Sequence, residues 1–363
     1  MNATLETCRW VYNKLLEERK TLWETKQEST TMFKQQKNIK GFLDEKPGIS
    51  EVYSQCIQNV AVRVDLAFKA FFRRCKSGEK PGYPRFKGKG WYKSFTYTQN
   101  NGAFRVVDHN HLRLAKIGIA KIKLHRPPEG MMKTCTVSRS STGKWFISFS
   151  CITEPTLLPI DNVPVGIDVG LTTFAMLSDG SKIDNPRFFK AEQKNLAHAQ
   201  RKLSKAEKGT PTRRRAVKVV ARIHERIVNK RSDFCHQESR KIVDKYGNIL
   251  FEDLEINRMM ADGKTKRLSK SIADASWGMF LSLLCFKAES AGRTVVKVNP
   301  AYTSQDCSMC GTRRAMPLSE RVYACDVCGL SIDRDLNAAC NILAVGLHSM
   351  GSTPRSPWIY PWE

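Results

Sequence analysis

The chain has 363 residues, more than one typical domain, and 41% of them are hydrophobic, so several units with their own cores are expected. Its 60 Lys and Arg residues exceed 35 Asp and Glu residues, which gives a formal charge of +25 and predicts a polyanionic partner. The longest apolar stretch, residues 277–286, is too short to span a bilayer, so nucleic acid is favoured over a membrane. A polar N-terminus unlike a signal peptide and the Cys usage favour a cytoplasmic location.

Residues 1–80 predict a helical lobe. Apolar residues recur at helical spacing in residues 2–26 and again in residues 51–75, which is typical of amphipathic helices. Residues 46–50 contain Pro and Gly and interrupt this pattern, and Ser50 is a candidate N-cap for the second helix. A plain helical bundle is the alternative interpretation.

Residues 81–160 combine a basic, aromatic segment with predicted strands. Cationic and aromatic side chains alternate in the first part, a pattern that suits backbone phosphates and base faces. The alternative is an irregular loop whose rings pack on a neighbour. The candidate nucleic-acid-binding residues are Lys87, Lys89, Trp91 and Tyr92. Residues 104–124 and 133–152 then alternate with period two and predict a small β-barrel.

Residues 163–180 predict two buried antiparallel strands with one carboxylate, Asp168, inside the first. An ionised Asp among apolar residues is costly to desolvate unless a cation meets it, and a divalent metal at the end of a sheet supplies that cation. A surface Asp at a strand end is the alternative. The strand at residues 248–254 also ends in acid, at Glu252, so the same pattern recurs.

A third acidic position begins a helix at residues 333–339, where both Asp333 and Asp335 are present. We choose Asp335 as the third member of the site, because Asp333 is well placed to cap the helix, although the sequence alone leaves the choice between them open. The small residues Ala338 and Ala339 would permit a close approach of this helix to the strands.

Residues 191–246 predict a helical hairpin that breaks at residues 209–211. Its exposed faces are strongly biased towards cations, whereas an ordinary solvated face mixes both signs. We therefore expect contact with nucleic acid, and a merely solvated face is the alternative. The candidate residues are Arg213, Arg214, Arg215 and Arg222.

The loop at residues 258–269 contains Gly263-Lys264-Thr265 but does not match a phosphate-binding loop. Arg258 stands where that motif needs Gly, and no strand leads directly into the segment. Residues 271–291 then predict a single helix that ends at Gly292, followed by a strand at residues 293–298.

Two Cys pairs have the spacing of a zinc ribbon, with 14 residues between the pairs. They are Cys307 and Cys310, then Cys325 and Cys328. Four thiolates form a tetrahedron for Zn²⁺ and leave no open position for catalysis, so structural zinc is favoured over a redox dithiol or an iron centre. The order of the predicted elements from Asp168 to Asp335 matches the RNase H or RuvC type of nuclease fold, in which three carboxylates hold two Mg²⁺ ions.

Several motifs together resemble the TnpB family of transposon-associated RNA-guided DNA endonucleases, which are similar to compact type V CRISPR effectors. They are Gly166-Ile-Asp-Val-Gly170, Phe251-Glu-Asp-Leu254, Asn299-Pro-Ala-Tyr-Thr-Ser-Gln305, both Cys pairs and Asp333-Arg-Asp-Leu-Asn-Ala-Ala339.

The resemblance implies an α+β multidomain protein. Its parts would be a helical recognition lobe (1–80), a basic segment and wedge-like β-barrel (81–160), a RuvC-like nuclease domain (161–300 and 332–346), a zinc-ribbon insertion (301–331) and a flexible tail (347–363). Family members usually have a strand before the first helix, whereas this chain opens directly in that helix, which leaves the completeness of the barrel open.

The resemblance also implies a guide RNA from the transposon end, target double-stranded DNA with its unwound strands, and a monomer with RNA. Guide pairing would read the sequence while the protein reads a short flanking motif. One Mg²⁺ would activate water and the other would stabilise the leaving oxygen, with Asp168 bridging them. The alternatives are a nuclease-inactive RNA-guided repressor, a RuvC-fold transposase or resolvase, and a zinc-ribbon binding module without chemistry.

Overall fold

The computed structural model describes residues 1–159, 163–261, 266–317 and 319–351. The chain divides into two compact units, Met1–Glu154 and Pro155–Glu363. The segment Gly263-Lys264-Thr265 and residues 352–363 of the expected tail lie outside the described residues. The finer division into domains stays a prediction.

The first unit combines helices with two small sheets. Its helices are α1 (Asn2–Lys26), α2 (Met32–Asn38) and α3 (Ser54–Lys76), with 3₁₀ turns at Ile39–Phe42 and Pro47–Ile49. Its strands are β1 (Ser94–Tyr97), β2 (Phe104–Asp108), β3 (His111–Leu114), β4 (Gly118–Lys121), β5 (Met131–Arg139) and β6 (Trp145–Ile152).

The two long helices confirm the predicted amphipathic pattern, because the apolar stripes of α1 and α3 are buried in one core. The predicted N-cap at Ser50 is wrong. Ser50 follows a 3₁₀ turn, its hydroxyl donates to the carbonyl of Pro47 at 2.8 Å, and α3 begins only at Ser54. The hydroxyl is therefore used by the preceding turn and is not available to a helix that begins four residues later.

The predicted small β-barrel is also wrong, since the described strands form open sheets. β1, β5 and β6 make one three-stranded sheet, and β2, β3 and β4 make another. Ring contacts connect the two sheets: Phe104 packs on Phe149 at 6.1 Å and on Tyr97 at 6.2 Å between centroids. The period-two pattern correctly predicts strands, but it carries no information on which strands pair, and here side chains connect the sheets.

The second unit surrounds a five-stranded sheet. Its strands are β7 (Pro164–Val169), β8 (Thr173–Leu177), β9 (Lys182–Asp184), β10 (Asn248–Glu252) and β11 (Thr294–Val298), with a short ribbon of β12 (Val322–Ala324) and β13 (Ser331–Asp333). Its helices are α4 (Phe188–Lys205), α5 (Pro211–Lys245), α6 (Ile256–Ala261), α7 (Lys266–Ala275), α8 (Trp277–Ser290) and α9 (Arg334–Ser349).

The order of strands in this sheet is β11-β10-β7-β8-β9. β10 pairs in parallel with both β7 and β11, whereas β8 and β9 are antiparallel additions. Side chains alternate between the faces: Ile167 and Phe251 join the core formed with α5 and α8, while Leu250 packs with Ile342 of α9 on the other face. Asp168 and Glu252 therefore belong to the face covered by α9.

The helix predicted at residues 271–291 is divided in two. Ser276 adopts a left-handed conformation with φ of 60°, and it separates α7 from α8. Two positions earlier, the buried carboxylate of Asp274 accepts hydrogen bonds from the N–H groups of Phe189 and Lys190 and from Arg231 at 2.7 Å. Apolar periodicity alone continues smoothly through this break. The predicted C-terminal Gly292 is confirmed, with φ of 71°.

Within the described residues, no helix is both long enough and apolar enough to cross a membrane.

Helix α9 lies directly on β7 at Gly166. An added Cβ at this glycine would lie 2.1 Å from the carbonyl oxygen of Ala339 and 2.7 Å from the backbone nitrogen of Leu343. Both are backbone atoms and cannot rotate away, so only glycine permits this separation between helix and strand.

We expect Gly166→Ala to destabilise the second unit by about 1–3 kcal/mol or more, because the helix must move away from the sheet. Gly278→Ala is the control, since its added Cβ would make only an ordinary contact of 3.8 Å, with Cδ1 of Ile256. Urea unfolding of both variants measures the effect. Equal midpoints for the two variants would contradict the close packing.

Candidate functional site

The first two carboxylates of the predicted site lie on adjacent parallel strands. The ladder pairs Ile167 with Phe251, and Asp168 and Glu252 are the next residue on each strand. Neighbouring strands lie ~4.8 Å apart, so these two acids stand side by side at one end of the sheet. The strand register thus brings together two residues that are far apart in sequence.

The third carboxylate comes from the first turn of α9. Asp333 caps this helix, since its Oδ1 accepts hydrogen bonds from the N–H groups of Asp335 at 2.8 Å and Leu336 at 3.3 Å. The capping role expected for Asp333 is therefore confirmed. The position of a Cβ at Gly170, just beyond β7, would be 4.0 Å from Oδ2 of Asp335. Asp335 therefore reaches the loop that directly follows Asp168's strand.

The pKa of Asp168 responds to the charges of the other two acids. The pKa of Asp168 is raised well above its usual value by burial, and then by the charges of Glu252 and Asp335. Burial also raises the pKa of Glu252 and that of Asp335, and the charge of Asp333 raises the latter further. Carboxylates that resist ionisation together are typical of a site that accepts cations. Oxygen ligands of this kind suit Mg²⁺.

Glu252 has a hydrogen-bond partner that the sequence analysis missed. The hydroxyl of Thr303 donates to Oε1 of Glu252 at 2.5 Å, and this bond lowers the pKa of Glu252 against the effect of burial. Asn341 of α9 in turn donates to the carbonyl of Thr303 at 2.8 Å. The signal for this network was available, because Asn337 and Asn341 stand four residues apart in an otherwise largely apolar helix.

The four predicted zinc ligands converge. Their sulfur atoms lie within 4.8 Å of one another, with 3.5 Å from Cys307 to Cys328 and 3.6 Å from Cys310 to Cys325. Zn–S bonds of ~2.3 Å in a tetrahedron place sulfurs ~3.8 Å apart, so the observed separations fit zinc. Across the described part of the chain, these Cys residues are the one group of Cys, His, Asp or Glu gathered tightly enough for a single ion.

Hydrogen bonds from neighbouring residues favour the thiolate form of two of these thiols, Cys310 and Cys325, whereas burial raises the pKa of Cys307. The hydroxyl and N–H of Thr312 lower the pKa of Cys310 to about 6, and the N–H groups of Cys328 and Val327 lower the pKa of Cys325. The ribbon is also attached to α9, since the N–H of Ser308 donates to Oδ1 of Asn337 at 2.9 Å. The cluster thus connects to the same helix that carries Asp335.

The predicted nucleic-acid contacts on the helical hairpin have different local roles. The guanidinium of Arg213 donates to the carbonyls of Leu203 at 3.0 Å and Ala206 at 2.8 Å, so it closes the end of α4. Arg214, Arg215 and Arg222 are exposed. Among the four candidates, Arg213 has a structural role and the other three are accessible to a partner.

The basic, aromatic segment divides in the same way. Trp91 is 74% exposed and Lys89 is exposed, whereas Tyr92 is only 8% exposed and belongs to the core of the first unit. The ring of Tyr92 packs against Tyr12 at 5.9 Å and offers little surface to a base, so its contact with nucleic acid stays a prediction. The backbone of Lys87 is held by Asn13 through bonds of 2.7 and 3.1 Å, and its side chain is half-buried.

Comparison with known proteins places these features in a family. Residues 148–262 match the family model described as "Probable transposase", residues 277–342 match "Cas12f1-like, TNB domain", and residues 1–28 match "Helix-turn-helix domain". The "TnpB-like protein L770" of Acanthamoeba polyphaga mimivirus is 26% identical over 62% of this chain and 46% of its own length. A "Putative RNA-guided DNA endonuclease" from Streptomyces pristinaespiralis is 36% identical over 96% of this chain and 85% of its own.

The chain belongs to the TnpB family.

A further relative of this TnpB-family chain, "Putative RNA-guided DNA endonuclease InsQ" of Escherichia coli (strain K12), is 32% identical over 81% of the chain and 74% of its own length. The fold is similar to that of a Cas12f1 chain solved as a Cas12f1-sgRNA-target DNA complex, with a TM-score of 0.59 at 16% identity, covering 94% of this chain and 81% of the other. The predicted mixture of helices and sheets is confirmed. In the described structure, residues 2–26 of the helix-turn-helix match form one continuous helix.

We expect Cys325→Ser to release zinc from this TnpB-family protein and to destabilise the ribbon, because metal binding and folding are coupled in such small domains. Elemental analysis should show a fall from about one Zn²⁺ per chain to nearly none. Cys75→Ser is the control, since Cys75 is exposed and lies outside the cluster. An unchanged zinc content per chain in Cys325→Ser would exclude Cys325 as a zinc ligand.

We expect Asp168→Asn to raise the thermal stability in Mg²⁺-free buffer at pH 7. The folded pKa of Asp168 is raised, so this carboxyl stabilises the fold fully only below its unfolded pKa of ~3.9, and that contribution is lost as pH rises through the folded value. Asn removes the charge, and an increase in Tm of about 2–4 °C is expected.

The gain should disappear near pH 4, where the Asp168 carboxyl of the folded wild-type protein is protonated and, like the Asn amide of the variant, carries no charge. Asp253→Asn is the control, because this exposed acid pairs with Lys297 at 3.1 Å outside the acidic site. A lower Tm for Asp168→Asn at pH 7 would show that the carboxylate has a stabilising partner.

Proposed function

We propose that this TnpB-family protein is an RNA-guided DNA endonuclease that cuts DNA by Mg²⁺-dependent phosphodiester hydrolysis at Asp168, Glu252 and Asp335. The observation that carries the proposal is that two adjacent parallel strands and the first turn of α9 direct three acids to one end of the sheet. The strand order β11-β10-β7-β8-β9 supports a RuvC-type nuclease domain, which has this pattern of parallel and antiparallel strands.

The acids of the site have separate functions. Asp168 stands between the other two and is the residue whose pKa responds to both, which suits a ligand shared by two ions. Glu252 is held by Thr303, which fixes the position of one oxygen and favours its ionised form. Bound Mg²⁺ would supply an activated water and stabilise the leaving 3′ oxygen.

The guide is the second part of the proposal. The relatives from Streptomyces and Escherichia are both named as putative RNA-guided DNA endonucleases. This chain carries a charge of +25, and α5 presents exposed Arg214, Arg215 and Arg222, which suit an RNA backbone. A guide transcribed from the transposon end would select the DNA by pairing, and the protein would read a short flanking motif, with one protein molecule acting on each guide.

The test measures cleavage of a matched DNA target by the protein purified with its guide RNA. Asp168→Ala, Glu252→Ala and Asp335→Ala should each reduce cleavage by more than about a hundredfold, since even residues that only orient metal ligands cost ~10–100-fold. Target binding without Mg²⁺ should persist, because guide pairing holds the DNA. Near-normal cleavage by any one variant would remove that acid from the site.

Two controls make this experiment specific. Asp333→Asn keeps a side chain that can cap α9, so it should cut normally if Asp335 is the third ligand. Replacing the guide with an unrelated RNA should abolish cleavage of the original target. Cutting at the same DNA site without the guide would instead support a transposase or resolvase.

A further inference from the structure

A basic cavity of about 580 Å³ opens in the second unit at the loop that follows β7. Its walls come from the loop after β7, the start of α4 and helix α7. The volume lies within the range of ~300–1,000 Å³ that is usual for ligand sites. The cations that surround it stand in no motif of the sequence.

Four cations line this cavity against one acid. The cations are Arg187, Lys190, Arg267 and Lys270, and the acid is Asp274. Asp274 is already neutralised, because Arg231 donates to it through two bonds of 2.7 and 3.2 Å. The lining therefore favours an anion, and its positive charge comes from side chains.

The N-terminus of α4 does not contribute to the positive charge of the cavity. At the start of α4, the N–H groups of Phe189 and Lys190 donate hydrogen bonds to the carboxylate of Asp274, so they are not available to a ligand. The ring of Phe189, half-buried, also faces the cavity. Cations next to an aromatic ring are typical of surfaces that hold a single nucleic-acid strand by its phosphates and one base face.

The cavity is connected to the carboxylates through one short loop. Leu171 and Thr172 line it, and they follow Gly170, whose Cβ position would be 4.0 Å from Asp335. Thr172 is four residues from Asp168, a distance of at most ~14 Å along an extended chain. The loop is fixed in place, because the carbonyl of Leu171 accepts hydrogen bonds from Asn185 at 3.0 Å and Arg187 at 3.5 Å.

We infer that this cavity binds the backbone of the DNA strand being cut, at phosphates next to the scissile one, and so aligns that strand with the carboxylates. The inference rests on the proposed endonuclease function. The cavity and the acidic site share the loop that follows β7, so a strand held in the cavity by its phosphates would lie close to Asp168. Contacts to phosphates position a strand without reading its sequence.

The test compares two charge-matched double variants, each purified with guide RNA. Lys190→Gln/Lys270→Gln removes two exposed cations from the cavity and leaves Arg187, which supports the loop, intact. Lys182→Gln/Lys194→Gln removes two exposed cations on β9 and α4 that do not line the cavity. Thermal unfolding should be the same for both.

The cavity variant should cut roughly tenfold more slowly in single-turnover reactions, because the strand is less well positioned, while the control cuts at the wild-type rate. RNA content per protein and guide-dependent target binding should be unchanged. In Mg²⁺-free buffer, binding of a non-complementary single strand should lose ~1.4 from its log–log salt slope, which corresponds to two phosphate contacts.

Two results would overturn the inference. Loss of guide RNA from the cavity variant alone would assign the cavity to RNA, and wild-type cleavage with an unchanged salt slope would show that the cavity does not contact the strand. If the wild-type protein cuts no DNA with any guide, the proposed function fails instead. The salt-slope measurement needs no cleavage, so it still decides whether the cavity binds single-stranded DNA.

Discussion

The structure of the second unit depends on the close approach of α9 to β7 at Gly166. The backbone of Ala339 lies where a side chain at this position would otherwise be, and Ala338 and Ala339 are buried. This contact positions the first turn of the helix, and with it Asp335, at the end of the strand that carries Asp168. The same helix supplies Asn337 and Asn341, which hold the zinc ribbon and the Thr303 segment, so one backbone contact aligns the acids, the ribbon and the loop between them.

The acidic site shows how the fold tolerates like charges at one end of a sheet. Burial raises the pKa values of Asp168, Glu252 and Asp335, repulsion from the other two acids raises that of Asp168 further, and these effects oppose folding at neutral pH without a cation. The fold offsets part of this cost locally, because Thr303 donates to Glu252 and Arg334 lowers the pKa of Asp168. The remaining repulsion is what a divalent cation would relieve, so an arrangement that is poor for stability is useful for chemistry.

The positive charge of the chain is divided between structural and accessible cations. Arg213 and Arg231 are used within the protein, where they close a helix end and neutralise Asp274. The side chains of Arg214, Arg215 and Arg222 on α5 and of Lys190 and Lys270 around the cavity are exposed and can reach phosphates. A net charge cannot distinguish these groups, because the distinction depends on which carbonyl or carboxylate lies within reach of each guanidinium.

The sequence by itself determined the features that depend on local pattern: the helices α1, α4 and α5, the strands carrying Asp168 and Glu252, the capping role of Asp333 and the four Cys ligands with their spacing. Only the tertiary structure decided the features that depend on long-range pairing and packing. The strands of the first unit pair into two open sheets and not into a barrel. The sequence could not predict this pairing, because period-two alternation does not specify which strands are neighbours. Packing buried the ring of Tyr92. The helix broke at Ser276, two residues after the hydrogen-bonded carboxylate of Asp274. The hydrogen bond from Thr303 to Glu252 joined residues 51 positions apart. Periodicity and spacing extend over a few residues, whereas a hydrogen bond or a buried ring is decided by whichever distant segment the fold brings beside it.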